Sequence, residues 1–393
     1  MEAVQQWALS ASPQPTERVP LSESLGRVLA EPAAADSDYP GFDNSAVDGY
    51  VLGCEEDARQ GTELRVAGSI VAGAAVPQAP EQGTCYRILT GAPVPDASYA
   101  VIMQEDVERI ADDKIRLAAS AQPGSHIRRR GSDFRRGDVL LHAGTRLNPG
   151  HVGLLATLGI SQPCVRAQPR VAILTTGDEI VRADEPKSAS QVRDSNGPML
   201  SALTRCFGGD TVLVAHVHDN AATLEQEMRN ALDAARVVVV TGGASVGDRD
   251  YAPVVAGRLG EIAFHGVSAK PGKPTLFATA GDRAILCLPG NPAATFVGAH
   301  LYLRAMIAAL QRERYMPRWL TVQFRDAHRA RDRDDLLRAR LDWSTSPPTA
   351  FTEFEQGSFA LTSLAECDCL VRFPAGEEHR PGDLRQALLL EDR

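Results

Sequence analysis

The sequence contains no C-x-x-C pair, no G-x-x-x-x-G-K-[ST] loop and no G-x-G-x-x-G fingerprint. A zinc ribbon, a P-loop nucleotide site and a Rossmann dinucleotide site are therefore disfavoured. Its cysteines, Cys54, Cys85, Cys164, Cys206, Cys287, Cys367 and Cys369, are odd in number and scattered. That pattern argues against a disulfide framework and for a reducing compartment. No stretch approaches about 18 uninterrupted apolar residues, the length a membrane helix needs. MEAVQQWALSASPQPTERVP lacks a basic region followed by an apolar one, so the cytoplasm is the expected location. Positive charge is not in excess either: 41 Lys and Arg stand against 50 Asp and Glu, a net charge of −9. Neither nucleic acid nor a membrane surface is expected as a partner. No repeat recurs at the periods of solenoids or propellers.

What remains is ordinary globular material: 393 residues, 44% hydrophobic and 23% charged, enough for two to four domains at roughly 100 to 200 residues each. Leu21, Leu25, Val28 and Leu29 are spaced i, i+4, i+7 and i+8, which predicts a helix ending before Pro32. From Pro40 to about Gly144 short β-rich runs alternate with Gly and Pro, predicting a β-rich module with long loops. NPGHVGLLATLGI at 148–160 again has helical periodicity. From Arg170, strand-like RVAILTTG, TVLVAHV and RVVVVTGG alternate with helical stretches from about Asn196, near 221–235 and after Tyr251. This predicts an open α/β domain on a parallel sheet, with ligands at the carboxyl ends of its strands. WLTVQF, LLRARLDW, CLVRF and ALLL, after about 316, predict a small C-terminal β domain. The expected organisation is a multidomain α/β plus β chain: a helical linker domain from 1–39 and 145–168, a β-rich module over 40–144, an α/β domain over 169–316 and a β domain over 317–393. Cys367 and Cys369 are expected as two reduced side chains on one strand face.

Polar residues gather at specific loops. PGFDNSAVDGYVL places Asp43, Asn44, Ser45 and Asp48 between Phe42 and Tyr50; it reads as an Asx-rich turn or as a set for a polar heterocycle or metal-bound water. Thr90, Gly91 and Ala92 close a strand, where a hydroxyl and a close backbone approach are available. Arg128, Arg129, Arg130, Arg135 and Arg136, interleaved with Asp133, are either a solvated face or guanidinium forks for phosphate. In the α/β domain, Thr175, Thr176, Gly177, Asp178 and Glu179 follow one strand. Gly242, Gly243, Ser245, Gly247, Asp248 and Asp250 follow another. Gly-Gly with Ser can cradle an anion, and Glu179 with Asp250 offers the oxygen ligands Mg²⁺ prefers. Lys270 and Lys273 sit in a proline-stiffened loop suited to an oxyanion. Pro289, Gly290, Asn291 and Pro292 precede a helix, whose N-terminus is expected to add positive charge.

Taken in order, FDNSAVDGY, LTGAPVP, RRRGSDFRRGD, AGTRL, VGLLATLGI, TTGDE, DSNGPML, TGGASVGDRDY, KPGKP and LPGNP resemble the motifs of the molybdopterin molybdenumtransferase family, called MoeA in bacteria and matched by the gephyrin E domain. The resemblance runs from about residue 17 to 300, with a weaker tail. It implies a four-domain subunit with a central MogA/MoaB-like α/β domain, forming a homodimer. It also implies an enzyme that inserts molybdate into adenylated molybdopterin, with Mg²⁺-dependent release of AMP; an upstream adenylyltransferase is a further expected partner. By the same resemblance Asp48, Thr90, Glu179 and Asp250 surround substrate, metal and nucleotide; Asp48, Glu179 and Asp250 are the expected catalytic residues, Glu179, Asp250 and Asp178 the expected metal ligands, and Ser245 a further expected substrate contact. Lys270 and Lys273 bind the oxyanion, Pro289, Asn291 and Pro292 form the adjoining loop, and Arg128 and Asp133 are a charged pair near the dimer cleft.

Three departures stand out. Val47 replaces a frequent methionine, and Ala293 and Ala294 replace a frequent Val-Ser, removing a hydroxyl that could touch molybdate. Cys367, Asp368 and Cys369 replace small residues after a retained Gln-Gly-Ser, and an anion role for Ser358 or Arg338 stays open. Two other readings compete. The α/β domain also resembles MogA and MoaB adenylyltransferases, although those have Thr-Gly where this chain has Ala244 and Ser245. A non-catalytic dimeric scaffold is the other.

Overall fold

A computed structural model describes residues 2–243 and 250–390. The chain divides into two compact units, one of 1–31, 143–153 and 161–393, the other of 32–142 and 154–160.

The smaller unit is built on a six-stranded sheet in the order Ala100–Met103, Gly49–Leu52, Thr84–Ile88, Glu63–Ile70, Lys114–Leu117 and Val107–Ala111. Alternation of Val51 with Leu52, and of Val101 with Ile102, places apolar side chains in two small cores, one on each face. Gly49 pairs with both Ile88 and Met103. A Cβ there would overlap the Ile102 carbonyl, so the glycine of FDNSAVDGY is required by the sheet itself.

In the larger unit the sheet order is Asp210–Val217, Arg170–Thr176, Val237–Thr241, Arg283–Leu288, Leu276–Ala280 and Glu261–His265. The first four strands are parallel, as the βα alternation predicts. The last two are antiparallel, because Gly281 (φ 61°) lets the chain turn tightly between Ala280 and Arg283 where no crossover helix intervenes. The sheet is therefore mixed rather than purely parallel. The VVVV run explains its two-faced burial: Val237 and Val239 pack with helices Asn196–Cys206 and Pro292–Leu310, while Val238 and Val240 pack with Ala221–Ala234 and Ala252–Leu259. Pro292–Leu310 is apolar and 19 residues long, but 83% of it is buried in this core. A helix over Glu2–Ser10, absent from the sequence reading, seats Trp7 edge-on against Phe277 at 5.9 Å.

The helix expected over 21–29 does not form. Leu21–Glu23 is a single 3-10 turn, Gly26 has φ 74°, and Val28 and Leu29 form bridges to Arg146 and Val165. Both are buried, so tertiary pairing overrides the apparent period. The 148–160 stretch does contain a helix, Pro149–Thr157.

The C-terminal strands Asp334–Asp342, Thr349–Phe351, Trp319–Phe324, Leu384–Leu389 and Cys369–Phe373 pair in that order, and the last pairs back to the first, closing a small barrel. The short strand Ala269–Lys270 joins it, with Lys270 opposite Asp335. Cys367 and Cys369 are buried and in no disulfide but belong to different cores. Cys367 caps the helix Thr362–Glu366, so the strand begins only after it.

Candidate functional site

A cleft of about 1260 Å³ opens in the larger unit where the carboxyl ends of the parallel strands face the barrel. Thr176, Thr241 and Leu288 end three adjacent strands, so the loops that follow must converge. Gly242 (φ 95°) makes this possible: a Cβ there would stand 2.5 Å from the Thr176 carbonyl oxygen, a contact no other residue could accept. Gly290 also packs tightly, its ideal Cβ being 3.3 Å from the Gly242 Cα.

Buried polar side chains then lock the loops. The Thr241 and Thr295 hydroxyls donate to the Pro289 carbonyl at 3.1 and 2.6 Å. Asn196 Nδ2 donates to the Gly290 carbonyl at 2.7 Å and to Thr241 Oγ1 at 3.0 Å. Thr175 Oγ1 donates to Asp194 Oδ2 at 3.1 Å, and Asp194 Oδ1 accepts the Gly197 amide at 2.9 Å. Asp194 and Asn196 belong to DSNGPML, whose polar cluster before a helix was the available signal for them.

Glu179, Asp250, Lys270, Lys273, Pro289, Asn291 and Pro292 all line this cleft. Neither lysine forms an ion pair with a described residue, so their charge is available to an anion. Asp178 does not line the cleft: its Oδ1 accepts the Asp219 amide at 3.3 Å and lies 3.3 Å from His218 Nδ1. No group of three or more candidate metal ligands occurs among the described residues. Ser245 lies outside the described residues, as do Gly247 and Asp248.

The expected contribution of the helix N-terminus is altered by the structure. The Ala293 amide donates to the Ser358 carbonyl at 3.0 Å, and those of Ala294 and Thr295 donate to the Asn291 carbonyl, each at 3.0 Å. Those donors tie the helix to its surroundings instead of facing an anion. Ala294 is 3% exposed and lines the cleft, at the position where the hydroxyl is missing.

The barrel supplies the opposite wall and, on it, Arg338, whose burial the sequence did not reveal. Arg338 is 1% exposed; its Nε donates to Ser363 Oγ at 2.7 Å, and its second terminal nitrogen to the carbonyls of Gly357 and Glu355 at 3.1 and 3.3 Å. No carboxylate pairs with it among the described residues. Burial pushes its pKa down, yet a guanidinium stays charged near neutrality. A buried cation thus stands on the wall that also carries Ser358.

In the smaller unit Asp48 and Thr90 meet: Asp48 Oδ1 accepts the Thr90 amide at 2.7 Å and its hydroxyl at 2.8 Å. Those bonds, the amide's first, hold the Asp48 carboxyl below the usual range. The arginine run divides its work. Arg129 bonds Asp43 at 2.6 Å and Arg130 bonds Asp38 at 2.7 Å, ordering the loop. Arg128 and Asp133 are exposed and ion-pair neither with each other nor with another described residue.

Comparison with known proteins covers most of the chain. Residues 1–159 match the MoeA N-terminal region (domains I and II), 172–309 a probable molybdopterin binding domain and 321–390 the MoeA C-terminal region (domain IV). The chain is 35% identical over 299 residues to a molybdopterin molybdenumtransferase of Haemophilus influenzae, covering 76% of this chain and 74% of that one. It is 34% identical over 382 residues to one of Synechococcus elongatus, covering 93% and 92%. Among solved structures, a molybdopterin biosynthesis MoeA protein from Pyrococcus horikoshii OT3 superposes with a TM-score of 0.84 at 27% identity, over 99% of this chain and 98% of that one.

Proposed function

Because the chain belongs to the molybdopterin molybdenumtransferase family, an enzyme family of molybdenum cofactor biosynthesis, we propose that it inserts molybdate into adenylated molybdopterin with release of AMP, and that the cleft of the larger unit is where it does so. The observation that carries this reading is the meeting of Lys270 and Lys273 with Glu179 and Asp250 in one cleft. Molybdate and the pterin phosphate are anions, and a protein of net charge −9 repels them except where cations gather. Lys270 and Lys273 bind the oxyanion, and buried Arg338 adds positive potential from the barrel wall.

Glu179 and Asp250 are the residues that would hold Mg²⁺. Two carboxylates without a third protein ligand among the described residues suit an ion that keeps several waters and takes substrate phosphate oxygens. When bound, Mg²⁺ would offset charge developing on the phosphate as AMP departs. Asp48 belongs to the smaller unit and is not among the residues that line the cleft; its proposed role is that of an ionised acceptor for a substrate N–H rather than of a general base. Its lowered pKa makes it a weak base, and Thr90 occupies only one of its oxygens. Arg128 and Asp133, without ion pairs among the described residues, suit a second copy of the chain and support a homodimer. The cytoplasm is the proposed compartment, in keeping with seven cysteines in no disulfide, and an adenylyltransferase is the class of enzyme that would supply the substrate.

The test is AMP release from adenylated molybdopterin with and without Mg²⁺ in Glu179→Ala, Asp250→Ala and Asp48→Ala. Each is expected to slow release by about 100-fold or more, through lost positioning at Asp48 and lost metal binding at Glu179 and Asp250. Wild-type rates in all three would overturn the mechanism.

A further inference from the structure

The cleft carries two phenylalanines, and they differ sharply. Phe324 is 1% exposed and packs edge-on against Phe373 at 4.9 Å. Phe359 is 70% exposed and stacks on no described ring. An exposed aromatic usually belongs to a yielding surface loop, but this one does not. Beside it, the Ser358 carbonyl accepts the Ala293 amide at 3.0 Å, and the Gly357 carbonyl accepts the Ala360 amide at 3.1 Å as well as the buried Arg338 guanidinium. Gly357 N donates to Glu355 Oε1 at 2.8 Å, and Gln356 bonds the Arg338 backbone through both ends of its amide. The ring lies over Gly357, where an added Cβ would stand 2.6 Å from Phe359 Cε1. The backbone on either side of Phe359 is thus held by hydrogen bonds, and the exposed ring rests against Gly357, presenting an apolar face to water at the edge of a polar cleft.

Resting on the function proposed above, we infer that Phe359 is a stacking platform for a planar heterocycle of the substrate. An adenylated pterin has two such rings joined through phosphates. Stacking tolerates either, because each presents a π-face irrespective of its hydrogen-bonding edge. An aromatic ring carried on a hydrogen-bonded backbone has only two side-chain torsions to lose on binding. The lysines and Arg338 serve the anionic parts, and Phe359 serves the flat, uncharged one.

Calorimetric titration of the full-length protein with AMP, with 6-hydroxymethylpterin and with inorganic phosphate separates the sources. Phe359→Ala is expected to weaken one ring-bearing probe about ten-fold and to leave phosphate unchanged. Phe359→Tyr should stay within about two-fold of wild type, and the probe that weakens identifies the ring. The proposal is overturned if Phe359→Ala binds both ring probes as wild type does, if wild type binds neither, or if the substitution changes only the association state. Failure of the insertase reading is distinguishable: it appears as absent AMP release by the wild-type protein, whatever the titrations give.

Discussion

On the sheet side of the cleft, the strand ends at Thr176, Thr241 and Leu288 are held together by the close approach of Gly242 to Thr176 and by threonine and asparagine bonds to the Pro289 and Gly290 carbonyls. On the barrel side, the loop 355–361 is organised around the buried Arg338 guanidinium. The first wall uses small residues, hydroxyl and amide hydrogen bonds and one acceptor carboxylate, Asp194. The second uses a charge without a carboxylate, and it is the costlier arrangement, since a buried ion must be fully solvated by the protein. Lys270 links the two, because its strand pairs with the barrel at Asp335.

Several substitutions sharpen that contrast. The largest stability effect is expected at Arg338→Met, which strands the Ser363, Gly357 and Glu355 acceptors. A loss of about 3 kcal/mol, read from urea unfolding, should accompany weaker molybdate binding. Lys270→Ala, at an exposed position, should weaken molybdate binding with stability changed by less than about 0.5 kcal/mol. Equal stability losses in the two would erase the distinction. On the sheet wall, Gly242→Ala meets both a positive φ and the Thr176 carbonyl, and about 2 kcal/mol of destabilisation is expected from the same unfolding measurement.

One pH effect near neutrality lies in the barrel. Burial, the largest cause, lowers the His379 pKa from its usual 6.5. The unfolded chain therefore takes up this proton at a higher pH than the folded chain, and stability falls as pH drops through about 6.5. Comparing urea midpoints at pH 7.5 and 5.5 should show that fall in the wild type and a smaller one in His379→Gln. The smallest effect is expected at Ala294→Ser, which adds a hydroxyl on the cleft wall. Molybdate affinity should rise a few-fold, about the strength of one hydrogen bond, by direct titration.

The same contrast explains what could be read in advance. The sheet wall was legible because its devices, glycines, acids and lysines at strand ends, are punctuation in the sequence, and VVVV can only be a strand buried on both faces. The barrel wall was not. Arg338 and Arg340 are two apart in one strand, yet one is 1% exposed while the other ion-pairs at the surface with Glu366; alternation cannot tell them apart until the barrel closes. The apparent helix at Leu21–Leu29 failed for a related reason: partners more than a hundred residues away, at Arg146 and Val165, decide its backbone. The helix terminus at Pro292 was legible as an element. That Ser358 takes its Ala293 amide was not, since only the folded chain brings them together.

The most direct test of the central claim is the yield of AMP and of pterin-bound metal in one reaction of purified protein with adenylated molybdopterin, Mg²⁺ and either molybdate or tungstate, with Asp250→Ala alongside. The account predicts AMP and metal incorporation in equal amounts, both lost in the variant. AMP release without metal incorporation, or incorporation undiminished in Asp250→Ala, would contradict it.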